Sequence, residues 1–136
     1  MKLLIADDEP AVRALVHVTL EGDEYEILEA ADGVEALEVA RDEAPRLVLL
    51  DIMMPRLDGL EVCRQLKADP DTSDIVVVML TAQAQDRDRD QGLAAGADDY
   101  IQKSGEFVVL KARVRAQIRR KQFEDENRRI REELLY

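Results

Sequence analysis

The 136-residue sequence contains one cysteine, one histidine and no tryptophan, and it is short of basic residues. A lone Cys63 can form neither an intrachain disulfide nor a multi-cysteine zinc site, and it reads as a small core residue. His17 lacks a second His or Cys for a metal site and reads as structural. No apolar run approaches the roughly 18 residues of a membrane span. The apolar start, Leu3-Leu4-Ile5-Ala6, is broken by Asp7-Asp8-Glu9 too early for a secretory signal. The expectation is a cytoplasmic chain with no membrane contact. With 30 acidic against 19 basic side chains and a net charge of -11, nucleic acid is not expected as a partner of this chain.

What is present fits one domain, and at this length roughly two thirds of the unfolded chain's surface can be buried. Charge is unevenly placed. From Gly105 onward there are nine basic and six acidic residues, leaving ten basic and 24 acidic before it. The basic and acidic residues of the tail alternate along a helical pattern, as on a solvated helix face.

Four short apolar segments bounded by turn signals predict strands: Lys2 to Ala6, Tyr25 to Ala30, Arg46 to Leu50 and Ile75 to Leu80. Asp99 to Lys103 is a weaker fifth. The third and fourth are continuously apolar, as in strands covered on both faces of a parallel sheet. Helical patterns fill the gaps. Pro10 opens the first, with Val12, Leu15, Val16 and Thr19 at core-facing spacing. Asp32-Gly33 and Asp58-Gly59 open the second and third, the fourth spans about Arg87 to Ala95, and the fifth runs from Phe107 to Leu135. Strand and helix alternating five times predicts an α/β fold, a doubly wound five-stranded parallel sheet with helices on both faces. Ligands of such sheets bind at the carboxyl ends of the strands.

At that edge the first strand ends in Asp7-Asp8-Glu9, the third in Asp51, the fourth in Thr81 and the fifth in Lys103. Clustered carboxylates repel unless a cation intervenes. Magnesium prefers oxygen ligands and is commonly held by one or two carboxylates together with a phosphate. Lys103 offers a point charge to phosphoryl oxygens and Thr81 a hydroxyl, so Asp51 is the candidate carboxylate nucleophile. The bland alternative for Asp7 and Asp8 is capping of the first helix.

Four segments, in order and each at a strand end, carry a family resemblance: Leu4-Ile5-Ala6-Asp7-Asp8-Glu9; Leu49-Leu50-Asp51-Ile52-Met53-Met54-Pro55-Arg56-Leu57-Asp58-Gly59; Met79-Leu80-Thr81-Ala82; and Gly96-Ala97-Asp98-Asp99-Tyr100-Ile101-Gln102-Lys103. Over residues 1 to about 120 the chain resembles the receiver domains of two-component response regulators. The resemblance implies a flavodoxin-like sheet of order 2-1-3-4-5 and Mg2+ as cofactor. It implies Asp51 as phosphoacceptor, Asp8 as direct metal ligand, Asp7 acting mainly through a bound water, and the Met53 backbone carbonyl as a further ligand. Lys103 would pair with the phosphoryl group, Thr81 would move toward it, and Tyr100 would turn inward as the switch aromatic. That would alter the surface of the fourth helix, fifth strand and fifth helix. The implied donor is a sensor histidine kinase or a phosphotransfer protein, and the chain would be a signalling phosphoacceptor rather than an enzyme.

Two alternatives are weighed against this reading. A magnesium-dependent phosphatase of the haloacid dehalogenase type needs a second Asp two residues after the nucleophile, where Met53 stands. A receiver-like scaffold or dimerisation module that works without phosphorylation is disfavoured by the intact acidic set. One departure from the family is Ser104-Gly105 after Lys103 in place of proline, which predicts a trans bond because a non-proline cis bond costs about 2.5 to 4 kcal/mol. The last helix, roughly 40 Å at about 1.5 Å per residue, outruns the sheet. Residues 121 to 136 are therefore expected to form a helical extension. Phe123, Asn127, Ile130 and Leu134 follow coiled-coil spacing, with Asn127 where a buried Asn favours a parallel pair. The expectation is a homodimer through this helix, or a linker to an output domain.

Overall fold

The computed structural model describes residues 1–22, 24–82, 86–103 and 107–135. Strand β1 (Lys2–Ala6), helix α1 (Pro10–Thr19), β2 (Glu26–Ala30), α2 (Gly33–Glu43), β3 (Leu47–Asp51), α3 (Gly59–Ala68), β4 (Val76–Thr81), α4 (Asp86–Ala94) and β5 (Asp99–Gln102) alternate along the chain. A 3-10 turn (Phe107–Val109) leads into α5 (Leu110–Leu134). All strand pairs are parallel and the sheet order is β2-β1-β3-β4-β5, as expected.

Burial explains the order. β3 and β4, apolar up to their last residues Asp51 and Thr81, are buried at every position and lie inside the sheet, whereas the mixed β2 and β5 form its edges. Alternate side chains of the strands feed two cores. Leu4, Val48, Leu50, Val77 and Met79 meet α2 and α3 on one face. Leu3, Ile5, Leu49, Val78 and Ile101 meet α1 and α5 on the other, where Val16, Leu110 and Val114 cover them.

Local chemistry sets the helix starts. Asp32 and Asp58 cap α2 and α3, accepting hydrogen bonds from the amides of Glu35 and Glu61, each at 2.9 Å. The glycine that follows each cap lies against backbone. A Cβ on Gly33 would sit 2.0 Å from the Leu57 carbonyl oxygen, and one on Gly59 2.1 Å from that of Asp51. The loop between β3 and α3 is thus clamped between two residues that have no room for a side chain.

The structure moves several sequence boundaries by one residue. β3 and β4 continue through Asp51 and Thr81, because Asp51 stays in register with Leu80 and Thr81 with Gln102. β2 starts at Glu26 rather than Tyr25. Leu15, expected in the core, is exposed, and Val16 and Leu20 supply the buried face of this segment. Ten residues of α1 cannot all present their apolar positions to one strand pair. The Lys103–Ser104 bond and Gly105 lie outside the described residues.

Candidate functional site

The sheet order reverses beside β1, which pairs with β2 on one side and β3 on the other. The carboxyl ends of β1 and β3 therefore flank the switch point where this architecture binds ligands. Asp7 and Asp8 follow β1 directly and Asp51 ends β3. The amide of Lys103 donates to the Thr81 carbonyl oxygen at 2.7 Å, continuing the β4–β5 ladder one step and carrying the lysine to the same rim.

There the charges converge. Asp7 is fully buried, Asp51 is 4% exposed and Thr81 is buried, while Asp8 is exposed. One carboxylate oxygen each from Asp7, Asp8 and Asp51 lies within 4.8 Å of the others. The Lys103 ammonium sits 2.7 Å from Asp7 Oδ2, 3.4 Å from Asp51 Oδ1 and 3.9 Å from Glu9 Oε1. Glu9 closes the first sequence motif, yet its proximity to Lys103 could not be read from spacing. Asp7 Oδ1 accepts the Glu9 amide at 2.9 Å, and Asp51 Oδ1 accepts the Met53 amide at 3.3 Å. The Met53 side chain itself is exposed.

Helix capping does not account for the acids. Glu9 occupies the N-cap of α1 and makes no side-chain cap bond, and Asp7 bonds a backbone amide before the helix starts.

Burial makes this arrangement costly without a further cation. Desolvation, reinforced by the negative charge of Asp7, pushes the Asp51 carboxyl up to about 6 although Lys103 opposes the rise. Burial pulls the Lys103 ammonium down, but the adjacent Asp7 and Asp51 outweigh it and leave its pKa raised. Asp7 Oδ2 is buried, and the Lys103 ammonium lies against it at 2.7 Å. Three converging carboxylates, two of them buried and sharing one lysine, are the oxygen donor set a hard divalent cation requires. The residues fit such an ion.

Thr81 and Tyr100 share a sheet face. Met79 is in register with Tyr100 and Thr81 with Gln102, so alternation points Thr81 the same way as Tyr100. Tyr100 is buried in the core cluster with Met79 and Ala95, close to Gly92 of α4. The aromatic is therefore turned inward in this structure. Its carbonyl oxygen accepts Arg113 of α5 at 2.7 Å. Sequence reasoning also missed the brace below: Lys67 Nζ donates to Ile75 O at 2.7 Å and Asp98 Oδ2 at 3.0 Å, and Asp98 also accepts the Val77 amide at 2.9 Å.

This rim, three acids from two strand ends with a lysine and a hydroxyl from two more, matches the sequence comparisons. The family profile described as "Response regulator receiver domain" matches residues 3–115. The chain belongs to that family. Response regulator MprA of Mycobacterium ulcerans is 45% identical over 126 residues, covering 93% of this chain and 53% of the relative. The DNA-binding dual master transcriptional regulator RpaA of Synechocystis sp. is 44% identical over 119 residues, covering 88% and 49%. The chain thus spans about half the length of the curated relatives it matches. Among solved structures, the BeF3-activated N-terminal receiver domain of Klebsiella pneumoniae RstA is 35% identical, with a TM-score of 0.80, 88% of this chain covered and 99% of that one. Residues 3–115 are a receiver domain of the two-component signalling class, and no described helix is long and apolar enough to cross a membrane.

Proposed function

We propose that Asp51 is the phosphoacceptor of this receiver domain and that Asp7, Asp8, Asp51 and the Met53 backbone carbonyl hold the divalent cation, Mg2+. The observation that carries the reading is the convergence of Asp7, Asp8, Asp51 and Lys103: three carboxylates lie within metal-sharing distance of one another, and the two buried ones share one ammonium. When bound, the ion neutralises charge on the phosphoryl oxygens.

The chain's own groups do the rest. A carboxylate oxygen of Asp51 attacks phosphorus, the bond from phosphorus to the donor's leaving atom breaks, and an acyl phosphate forms. Lys103, released from part of its contact with Asp51, follows the negative charge onto the phosphoryl oxygens. Thr81 donates its hydroxyl to one of them. Tyr100, already inward in this structure, is held there once Thr81 has moved, and the α4–β5–α5 surface is fixed in the form that goes with it. The states differ because only one contains phosphoryl contacts to Thr81 and Lys103. The donor is a phosphohistidine on a sensor kinase or phosphotransfer protein, and the domain acts as a signalling acceptor, not as an enzyme with an external turnover substrate. Residues 1–120 form the receiver unit and 121–136 a helical extension. DNA binding is stated of RpaA, a protein about twice the matched length, and the acidic balance of this chain gives no basis for extending it here.

Acetyl phosphate with Mg2+ and intact-mass spectrometry tests the assignment. A phosphoryl mass increment in the parent that disappears in Asp51→Asn supports it. No increment in the parent would favour the phosphorylation-independent scaffold.

A further inference from the structure

Helix α5 outlasts the domain it covers. Its buried residues are Leu110, Val114 and Ile118, all docked on the sheet, and beyond them Phe123, Ile130 and Leu134 are exposed at 68%, 44% and 80%. Those three and Asn127 are spaced four, three and four residues apart, the d-a-d-a rhythm of a coiled coil. At about 100° per residue their stripe lies roughly 150° around the helix from Ile118, facing away from the receiver. The preceding a positions are Arg113 and Arg120. Both are engaged within the chain, Arg113 with the Tyr100 carbonyl oxygen at 2.7 Å and Arg120 with Asp98 at 3.4 Å. The apolar seam therefore begins at Phe123.

From the charges flanking that seam we infer that it is covered by a second copy of this chain, in a parallel, in-register two-stranded coil. With Asn127 at a and Ile130 at d, the g positions are Arg119, Glu126 and Glu133, and the e positions are Glu124 and Arg131. A parallel pair brings each g residue to the e residue five places on in the other copy. Arg119 then meets Glu124, and Glu126 meets Arg131, each pair opposite in sign and each repeated by the two-fold symmetry. An antiparallel pair would set g against g and e against e, so the repulsion of Glu126 and Glu133 would cancel the attraction of Glu124 and Arg131, whereas the parallel pair has attractions alone. Asn127 points the same way, because an Asn at a selects two parallel strands. The competing contacts within one copy, Arg120 with Glu124 at 2.6 Å and Arg129 with Glu126 at 2.6 Å, are exposed ion pairs of little net worth. Residues five apart on one helix do not face each other, so Glu126 and Arg131 can attract only between copies. The inference stands apart from phosphoacceptance at Asp51.

Sedimentation equilibrium of the 136-residue chain, without phosphodonor, should show a mass rising from monomer toward dimer between micromolar and millimolar concentration. Ile130→Glu should hold the chain at monomer mass. Glu126→Arg and Arg131→Glu alone should each weaken association about fivefold, and the double variant should recover it. Oxidised Asn127→Cys should cross-link to dimer while Arg128→Cys does not, with the buried Cys63 silent. Monomer mass throughout, or a dimer indifferent to Ile130→Glu, overturns the inference. A double variant that stays weak overturns the parallel register. Phosphoryl uptake by all these variants is read separately, so a loss confined to Asp51→Asn keeps the two readings distinguishable.

Discussion

The rim and the tail are both built largely of charged residues, and they use them in opposite ways. At the rim, strand ends deliver Asp7 and Asp51 into the interior and leave them one partly buried lysine. In the tail, Arg128 and Arg129 pair with Asp125 and Glu126 three residues away, all in contact with solvent. Helix geometry alone brings the tail pairs together, and water screens them. The rim pairs require three strands in the right order, and desolvation makes each charge depend on its neighbours. Charge count therefore says little about energetic weight. Position relative to solvent says much more.

The largest effect that would sharpen this contrast is expected from Lys103→Ala. Removing the shared cation leaves Asp7 and Asp51 facing each other, and metal-free stability at pH 7 to 8 should fall by about 3 kcal/mol in urea unfolding. Added Mg2+ should restore most of it. A loss below about 0.5 kcal/mol would place the rim with the tail and dissolve the comparison.

Gly59→Ala comes next. Its Cβ would meet the Asp51 carbonyl oxygen at 2.1 Å, so the backbone must shift where the nucleophile is held. We expect about 2 kcal/mol of destabilisation and slower phosphoryl uptake from acetyl phosphate. Uptake at the parent rate would show that the loop need not be clamped.

Asp51→Asn should act in the opposite direction on stability. The folded-state pKa of Asp51, about 6 against an ordinary 3.8, lies above its unfolded value. The folded chain therefore binds more protons than the unfolded one between these values, and stability falls as pH rises through that window. Replacing the carboxylate should raise metal-free stability at pH 7 by about 1 to 2 kcal/mol. The gain should vanish below about pH 4, where the carboxyl is protonated in both states. Saturating Mg2+ should reverse the order of the two proteins, because the variant loses a ligand. A gain independent of pH would separate the stabilisation from ionisation.

The smallest effect belongs to the tail. Arg128→Ala combined with Arg129→Ala should change monomer stability by less than about 0.5 kcal/mol. A larger change would mean that these exposed pairs hold more than the helix.

Much of the site could be read locally. The acids of Asp7-Asp8 and Asp51 stand directly after apolar runs, and an apolar run that stops at an acid marks both a strand and its carboxyl end. The Asp-Gly pairs at Asp32 and Asp58 announced two capped helices, and the structure shows both caps. Leu15 misled because periodicity names an apolar face without saying how much of it a neighbour can cover. Thr81 and Asp51 were placed just past their strands because ladder hydrogen bonds, not side-chain polarity, decide where a strand ends. The contact of Lys67 with Asp98 gave no local signal, because the two are 31 residues apart and meet only when the fold brings them within ion-pair distance.

The sequence by itself determined the alternation of elements, the central position of β3 and β4, the chemistry offered at each strand end and the heptad of the tail. These rest on short-range periodicity, which a chain carries wherever it folds. Only the tertiary structure decided that Asp7 is wholly buried, that Lys103 lies between Asp7 and Asp51, and that Asp51 resists ionisation. It also decided that Tyr100 is turned inward and that the tail's apolar stripe faces away from the domain. Those properties depend on distances between residues far apart in the chain and on the water excluded between them, and both arise only when the strands assemble side by side.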